Sequence, residues 1–167
     1  MTDPSGTPTI AVVGSLNVDT ILSVPHLPEA GNTVSATGWE TRYGGKGANQ
    51  ALAACRQGGI VSLIGCVGGD DYGQAYLSYL ASEGVNVTGV LQRADAPTGS
   101  AYVLVNPSGE NSIIALSGAN ALLGAGDVLA QSAALDSADI VLCQLETSLD
   151  ATVAALQHAA AQGRTTV

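Results

Sequence analysis

Three short stretches hold the residue types that could do chemistry: Asn17 with Asp19, the run Gly44-Gly45-Lys46-Gly47-Ala48-Asn49-Gln50-Ala51, and Glu146. The run concentrates backbone freedom, positive charge and amide groups just ahead of an apolar helical pattern, and Lys46 is the only lysine in the chain. Glycine permits positive φ and close approach to a ligand, while a helix N-terminus offers unpaired N–H groups and a partial positive charge. That combination predicts a site for a polar or anionic ligand; an ordinary glycine turn before a core helix is the competing reading. Asn17 and Asp19 are two apart, so in an extended segment both side chains point to one face. Taken alone they also fit an Asx turn leaving a strand.

The run fails both common nucleotide fingerprints. A phosphate-binding P-loop needs Ser or Thr after Gly-Lys, where this chain has Gly47, and the dinucleotide pattern needs a third glycine where it has Gln50. What the run resembles is the first signature of the ribokinase-like (PfkB) sugar kinases, in which Gly-Gly-Lys-Gly-Ala-Asn is followed at set distances by two further glycines, here Gly58 and Gly68. Gly14-Ser15-Leu16-Asn17-Val18-Asp19 is similar to that family's opening motif, Gly118-Ala119-Asn120-Ala121 also looks ribokinase-like, and Gln144-Leu145-Glu146 favours the ribokinase branch. The resemblance spans nearly all of the chain. It implies a parallel-sheet α/β sandwich with a small β-sheet lid, whose strands are interleaved at about 20–43 and 90–117. It further implies that Asn17, Asp19, Gly44, Gly45, Lys46, Gly47, Asn49 and Glu146 bind a sugar, since amides and carboxylates suit a ligand rich in hydroxyls and poor in charge. D-ribose phosphorylated by ATP at its 5-hydroxyl is the first expectation, ahead of fructose, deoxyribose or adenosine. Magnesium, a monovalent cation such as potassium, and a homodimer formed through the lid sheet come with the same resemblance.

That family's chains run to about twice this length. The chain is therefore expected to be the N-terminal, substrate-binding part, with the ATP site and the general-base Asp beyond Val167 and no catalytic or metal-binding residue of its own. Gly124-Ala125-Gly126-Asp127 spells the family's catalytic motif but lacks the preceding Asp-Thr and lies too early in the chain. Asp127 is accordingly expected in a loop or at a helix start. A sugar-binding or dimerising module without catalysis is the reading from a different class.

Positioning these residues requires elements that the sequence supplies. Thr9 to Val13, Val61 to Cys66 and Asp139 to Cys143 are short, β-branched apolar runs that predict buried strands, and ligands of open α/β sheets bind beyond the C-terminal ends of such strands. Helices are predicted over Ala48 to Gln57, stopping at Gly58-Gly59; from Asp70-Asp71 to Gly84; and over about Ser148 to Gln162. The adjacent carboxylates Asp70 and Asp71 are read as helix caps, not as a metal or acid–base pair. Ile21 to Val24 and Thr33 to Thr37 predict small strands between Pro25, Pro28 and Gly31, and Ser100 to Val105 with Ser112 to Leu116 predict a hairpin around Asn106 to Asn111. Thr165 to Val167 begins a last strand. Strands alternating with helices indicate a parallel sheet with right-handed crossovers.

With 167 residues, 46% of them hydrophobic, the chain is long enough for one domain with a real core. A net charge of −9 argues against nucleic acid or an anionic membrane surface as partner, since both attract basic patches. No apolar run approaches the roughly 18 residues of a membrane span, and 1–8 is a polar tail without the features of a secretory signal, so a cytoplasmic location is expected. Cys55, Cys66 and Cys143 lack metal-ligand spacing and are read as reduced core thiols.

Overall fold

The computed structural model describes residues 6–167, so most of the polar tail at 1–8 lies outside the described residues. Five strands form one wholly parallel sheet: β1 (Thr9–Val13), β4 (Ile60–Gly68), β5 (Asn86–Arg93), β8 (Ile140–Cys143) and β9 (Thr165–Thr166), in the order β5-β4-β1-β8-β9. Central strands of such a sheet are covered on both faces and so read as continuous apolar runs. In β1 the alternation sends Ala11 and Val13 into one core and Val12 into the other. The helices α1 (Lys46–Arg56) and α2 (Asp71–Ser82) cover the Val12 side, where Ala48, Ala51, Tyr76 and Leu80 are buried. On the opposite face lie the short helices α3 (Ala125–Leu129) and α4 (Ser132–Ser137) and the longer α5 (Leu149–Ala161), which bury Val128, Leu135, Ala151, Ala155 and Ala159.

A second, four-stranded sheet has the order β3-β2-β6-β7, built from β2 (Asn17–Ser23), β3 (Gly38–Gly44), β6 (Gly99–Val105) and β7 (Asn111–Leu116). β2 runs parallel to β6 and antiparallel to β3, and β6 and β7 form the hairpin predicted around Asn106. The side chain of Asn106 organises that turn, accepting from Ser108 N at 3.1 Å and Glu110 N at 3.0 Å. Asp70 caps α2 by accepting from Gly73 N at 2.8 Å, as its position before the helix predicts. The three cysteines are free thiols.

Several boundaries differ from the sequence expectation. Thr33 to Thr37 forms no strand; the partner of β2 is Gly38–Gly44, because β2 extends back through Asn17 and its seven residues fix the length and register of β3, from Asn17 opposite Gly44 to Ser23 opposite Gly38. The second-sheet strand expected from about residue 90 begins at Gly99 instead. Residues up to Arg93 belong to β5, where pairing with β4 and packing of Val87, Val90 and Leu91 hold them in the main sheet. α1 starts at Lys46, two residues before Ala48. Among the described residues, no helix is long and apolar enough to cross a membrane.

Candidate functional site

The turn Gly14-Ser15-Leu16 leaves the C-terminal end of β1 and delivers the chain directly into β2, so Asn17 stands where the two sheets join. Strand alternation then puts Asn17 and Asp19 on one face of the small sheet, level with Gly99 and Ala101 of β6, while Val18 and Thr20 take the other. On that face Asn17, Asp19, Ala101, Val103, Ile113 and Ala115 meet Gly45, Lys46, Asn49 and Glu146 around a pocket of about 260 Å³. An adjoining pocket of about 400 Å³ shares Asn17 and Glu146 and continues past Asn120, Thr147 and Ser148. Residues more than a hundred positions apart thus meet beyond the C-terminal ends of β1 and β8, the edge at which open α/β sheets bind ligands.

Gly45 is the N-cap of α1 with φ 89°, and a Cβ there would meet Asn17 N at 2.7 Å and Ser15 O at 2.8 Å. Only glycine therefore lets α1 begin this close to the turn after β1. Gly44 and Gly47 are also drawn in without lining the pocket: a Cβ on Gly44 would lie 2.1 Å from Asp19 Oδ2, the Gly44 carbonyl accepts from the buried Tyr76 hydroxyl at 2.6 Å, and Gly47 N donates to Ser15 Oγ at 3.4 Å. Tyr76 stacks on Tyr43 with ring centroids 4.3 Å apart, which fixes the hydroxyl under the glycine run.

The first turn of α1 does not offer the free N–H groups that the sequence suggested. Lys46 N donates to Glu146 Oε2 at 3.1 Å, Gly47 N reaches Ser15 Oγ, and Ala48 N donates to Ser15 O at 2.9 Å. The helix terminus is filled by the chain's own carboxylate, which the partial positive charge there favours. Nor do Lys46 and Glu146 act as two independent groups, since Lys46 Nζ is ion-paired with Glu146 Oε1. Ser15 Oγ donates to Glu146 Oε2 at 2.7 Å. Burial works against the Glu146 charge, yet the hydrogen bonds from the Lys46 side chain, Ser15 and Lys46 N outweigh it and hold the carboxyl below its ordinary range.

Asp19 has the opposite environment. Burial, and then the negative Glu146, push its carboxyl above the ordinary value against the smaller influences of Ala101 N–H and Lys46. Its Oδ1 is buried and has no hydrogen-bond partner. Asp19 also lines the pocket, and a carboxylate whose acceptor capacity is not filled within the chain is suited to a hydroxyl donor.

Two residues that organise this site were not singled out from sequence. Ser15 ties Glu146 to α1, and its only signal was its place in Gly14-Ser15. Asn120 lies in the 3₁₀ turn Gly118–Leu122, is buried, and hydrogen-bonds both Leu16 and Asn17; its signal was the Gly118-Ala119-Asn120 run, to which no role was attached. Asp127 stands apart from the pocket lining. It sits in the first turn of α3, where Oδ2 accepts from Gly124 N at 2.9 Å and from Arg93 Nη2 at 2.6 Å, a helix start as expected. Among the described residues, no group of three His, Cys, Asp or Glu side chains is placed to hold a metal ion.

Comparison with known proteins gives the same architecture. The chain is 39% identical to the ribokinase of Haemophilus influenzae over 155 residues, which are 93% of this chain and 51% of that protein. The structure of ribokinase from Cryptococcus neoformans in complex with ADP superposes with a TM-score of 0.84 at 36% identity, over 96% of this chain and 48% of that one. Arabidopsis thaliana ribokinase complexed with ribose and ATP superposes with a TM-score of 0.83 at 30% identity, over 96% of this chain and 52% of that one. The chain spans about half the length of the curated relatives it matches. The model of the pfkB family carbohydrate kinases matches residues 7–167, and the chain belongs to that family.

Proposed function

We propose that the whole protein transfers the γ-phosphate of ATP to the 5-hydroxyl of D-ribose, and that these residues form its sugar-binding part with the four-stranded sheet as lid. The observation that carries this reading is the pocket in which Asn17, Asp19, Gly45, Lys46, Asn49 and Glu146 converge under the small sheet. Asp19 would accept from sugar hydroxyls, and Asn17, Asn49 and the Lys46–Glu146 pair would fix the ring's orientation. Phosphoryl transfer depends on holding the acceptor hydroxyl in line with the phosphate and on neutralising the developing charge. The similarity to ribokinases with ADP, or with ribose and ATP, supports both the sugar and the nucleotide. Magnesium and potassium are implied by the family resemblance; among the described residues no group of three His, Cys, Asp or Glu side chains is placed to hold either.

Trp39, Tyr102, Ile114 and Leu116 are exposed on the face of the small sheet turned away from Asp19, which supports a homodimer through that sheet; sedimentation of the whole protein tests it. The sugar assignment is tested by calorimetric titration of the whole protein with ribose, fructose, deoxyribose and adenosine, alongside a coupled assay for ADP release. Ribose should bind most tightly and stimulate ADP release; preference for adenosine, or no response to any sugar, would overturn the reading. The 167 residues alone should release no ADP above a no-sugar control, because Asp127 is committed to Gly124 and Arg93 and lies off the pocket. Ribose-dependent turnover by this chain would show that the base lies within it.

A further inference from the structure

Asn120 makes three hydrogen bonds that leave its amide only one orientation. Its Oδ1 accepts from Leu16 N at 2.9 Å, and its Nδ2 donates to Leu16 O at 3.0 Å. A backbone N–H can only donate and a carbonyl can only accept, so oxygen and nitrogen of this side chain cannot be exchanged. The second N–H of Nδ2 then points to Asn17 Oδ1 at 2.8 Å, and Asn17 must present its carbonyl oxygen there. The Asn17 amide nitrogen is left on the other side, toward the pockets that Asn17 lines, with no partner among the described residues. The same arrangement excludes a side chain at position 99: a Cβ on Gly99 would lie 2.1 Å from Asn120 Nδ2 and 2.4 Å from Asn17 Oδ1.

We infer that Asn120 is a positioning residue that fixes the polarity of Asn17, so that the pocket shows a hydrogen-bond donor at Asn17 next to the acceptor at Asp19. A hydroxyl both donates and accepts, so a donor beside an acceptor suits two neighbouring hydroxyls of one ligand, one engaged through its oxygen and the other through its proton. Left unrestrained, an amide could turn either face to the pocket. The carbonyl face would set two acceptors side by side, next to a negative charge. Among the described residues Asn120 is one of few buried polar side chains, and its three bonds all converge on the stretch that enters β2.

This inference rests on the sugar-site reading, and the experiment separates the two. In the whole protein, Asn120→Asp keeps the side-chain shape and an acceptor for Leu16 N but replaces the nitrogen that donates to both Leu16 O and Asn17 Oδ1. Ribose affinity and KM are measured for the wild type, N17A, N120D and N17A/N120D, together with kcat and Tm. The expected result is a KM about tenfold or more above wild type for N120D with kcat within about twofold, the loss of one hydrogen bond plus a reversed dipole at the ligand. N17A/N120D should bind ribose no worse than N17A, since Asn120 acts only through Asn17. If the N120D penalty instead adds in full to that of N17A, or N120D lowers Tm without changing ribose affinity, Asn120 is a scaffold residue and the inference fails while the sugar site stands. If N17A itself leaves ribose affinity unchanged, the sugar-site reading fails and the inference falls with it. Should N120D not fold, Asn17→Asp still accepts from Asn120 but shows the pocket an oxygen. It should bind ribose at least as weakly as N17A, and wild-type affinity in that variant would overturn the proposal.

Discussion

Replacing Asp19 by Asn should stabilise the folded protein while it abolishes tight sugar binding. Asp19 Oδ1 is buried without a partner, and the side chain shares the pocket wall with a second carboxylate, Glu146. Asn keeps a polar atom at that position but carries no charge, and desolvating a charged group without its full set of partners costs at least about 1–3 kcal/mol. Asp19 is only half-buried, so solvent screening places the estimate at the low end, about 1 kcal/mol. For a domain of this size that is a rise in Tm of about 2–4 °C. The sign with pH follows from the direction of the shift. A carboxyl whose folded pKa is raised favours the fold only while protonated, and that contribution is lost as pH rises through the raised value. D19N should therefore melt higher than wild type at pH 7, and the gap should close as pH falls to the ordinary carboxylate range. Differential scanning calorimetry at stepped pH, with ribose titrations on the same samples, measures both effects. A lower Tm for D19N at pH 7 would refute the argument, since it would mean that Ala101 N–H and Lys46 more than compensate the buried charge.

Three further outcomes are expected. Tyr76→Phe removes the hydroxyl that satisfies the Gly44 carbonyl but keeps the ring stacked on Tyr43, so thermal melts should show a loss of about 1–3 kcal/mol, and an unchanged Tm would mean that Gly44 finds another donor. Asp127→Asn should leave turnover of the whole protein nearly intact, and a collapse in kcat with normal folding would identify Asp127 as the base. The hydrogen bond from Gly124 N and the Arg93 pair hold the Asp127 carboxyl below its ordinary range, so its contribution to stability is present near neutrality and lost as pH falls through that lowered value; the Tm difference between wild type and D127N should shrink in acid.

The parts of the fold that were legible in the sequence are those whose pattern is set locally. β1, β4 and β8 lie inside the main sheet and read as mostly apolar runs, and α2 and α5 announce themselves through Asp70 and Ser148, whose side chains accept from Gly73 N and Ala151 N. β3 was misplaced because Trp39-Glu40-Thr41-Arg42-Tyr43 lies at a sheet edge, largely exposed, and its limits are dictated by β2 rather than by its own composition. β5 was not foreseen as a main-sheet strand, because Asn86 to Arg93 carries polar residues through its length and owes its place to pairing with β4. α3 and α4, five and six residues long, are too short for a helical period to show.

The members of the candidate site were legible as residue types, but their pairings were not, and the pairings change what the pocket favours. A glycine run with one lysine ahead of a helix suggested a polar or an anionic ligand. The fold instead spends the helix N-terminus and the Lys46 ammonium on Glu146, and sets Asp19 opposite with an open acceptor oxygen. One cation and two carboxylates leave the wall with a net negative charge, so an anion entering it meets repulsion that is poorly screened where water is scarce. A neutral ligand with several hydroxyls meets a donor at Asn17, an acceptor at Asp19 and a pre-paired Lys46–Glu146 that can share bonds without becoming unpaired. Asn17, Asp19, Lys46 and Glu146 could be picked out one at a time along the chain; that Lys46 neutralises Glu146, while Asp19 is left unpaired, is a property of the meeting between two sheets and a helix terminus, which no local stretch of sequence encodes.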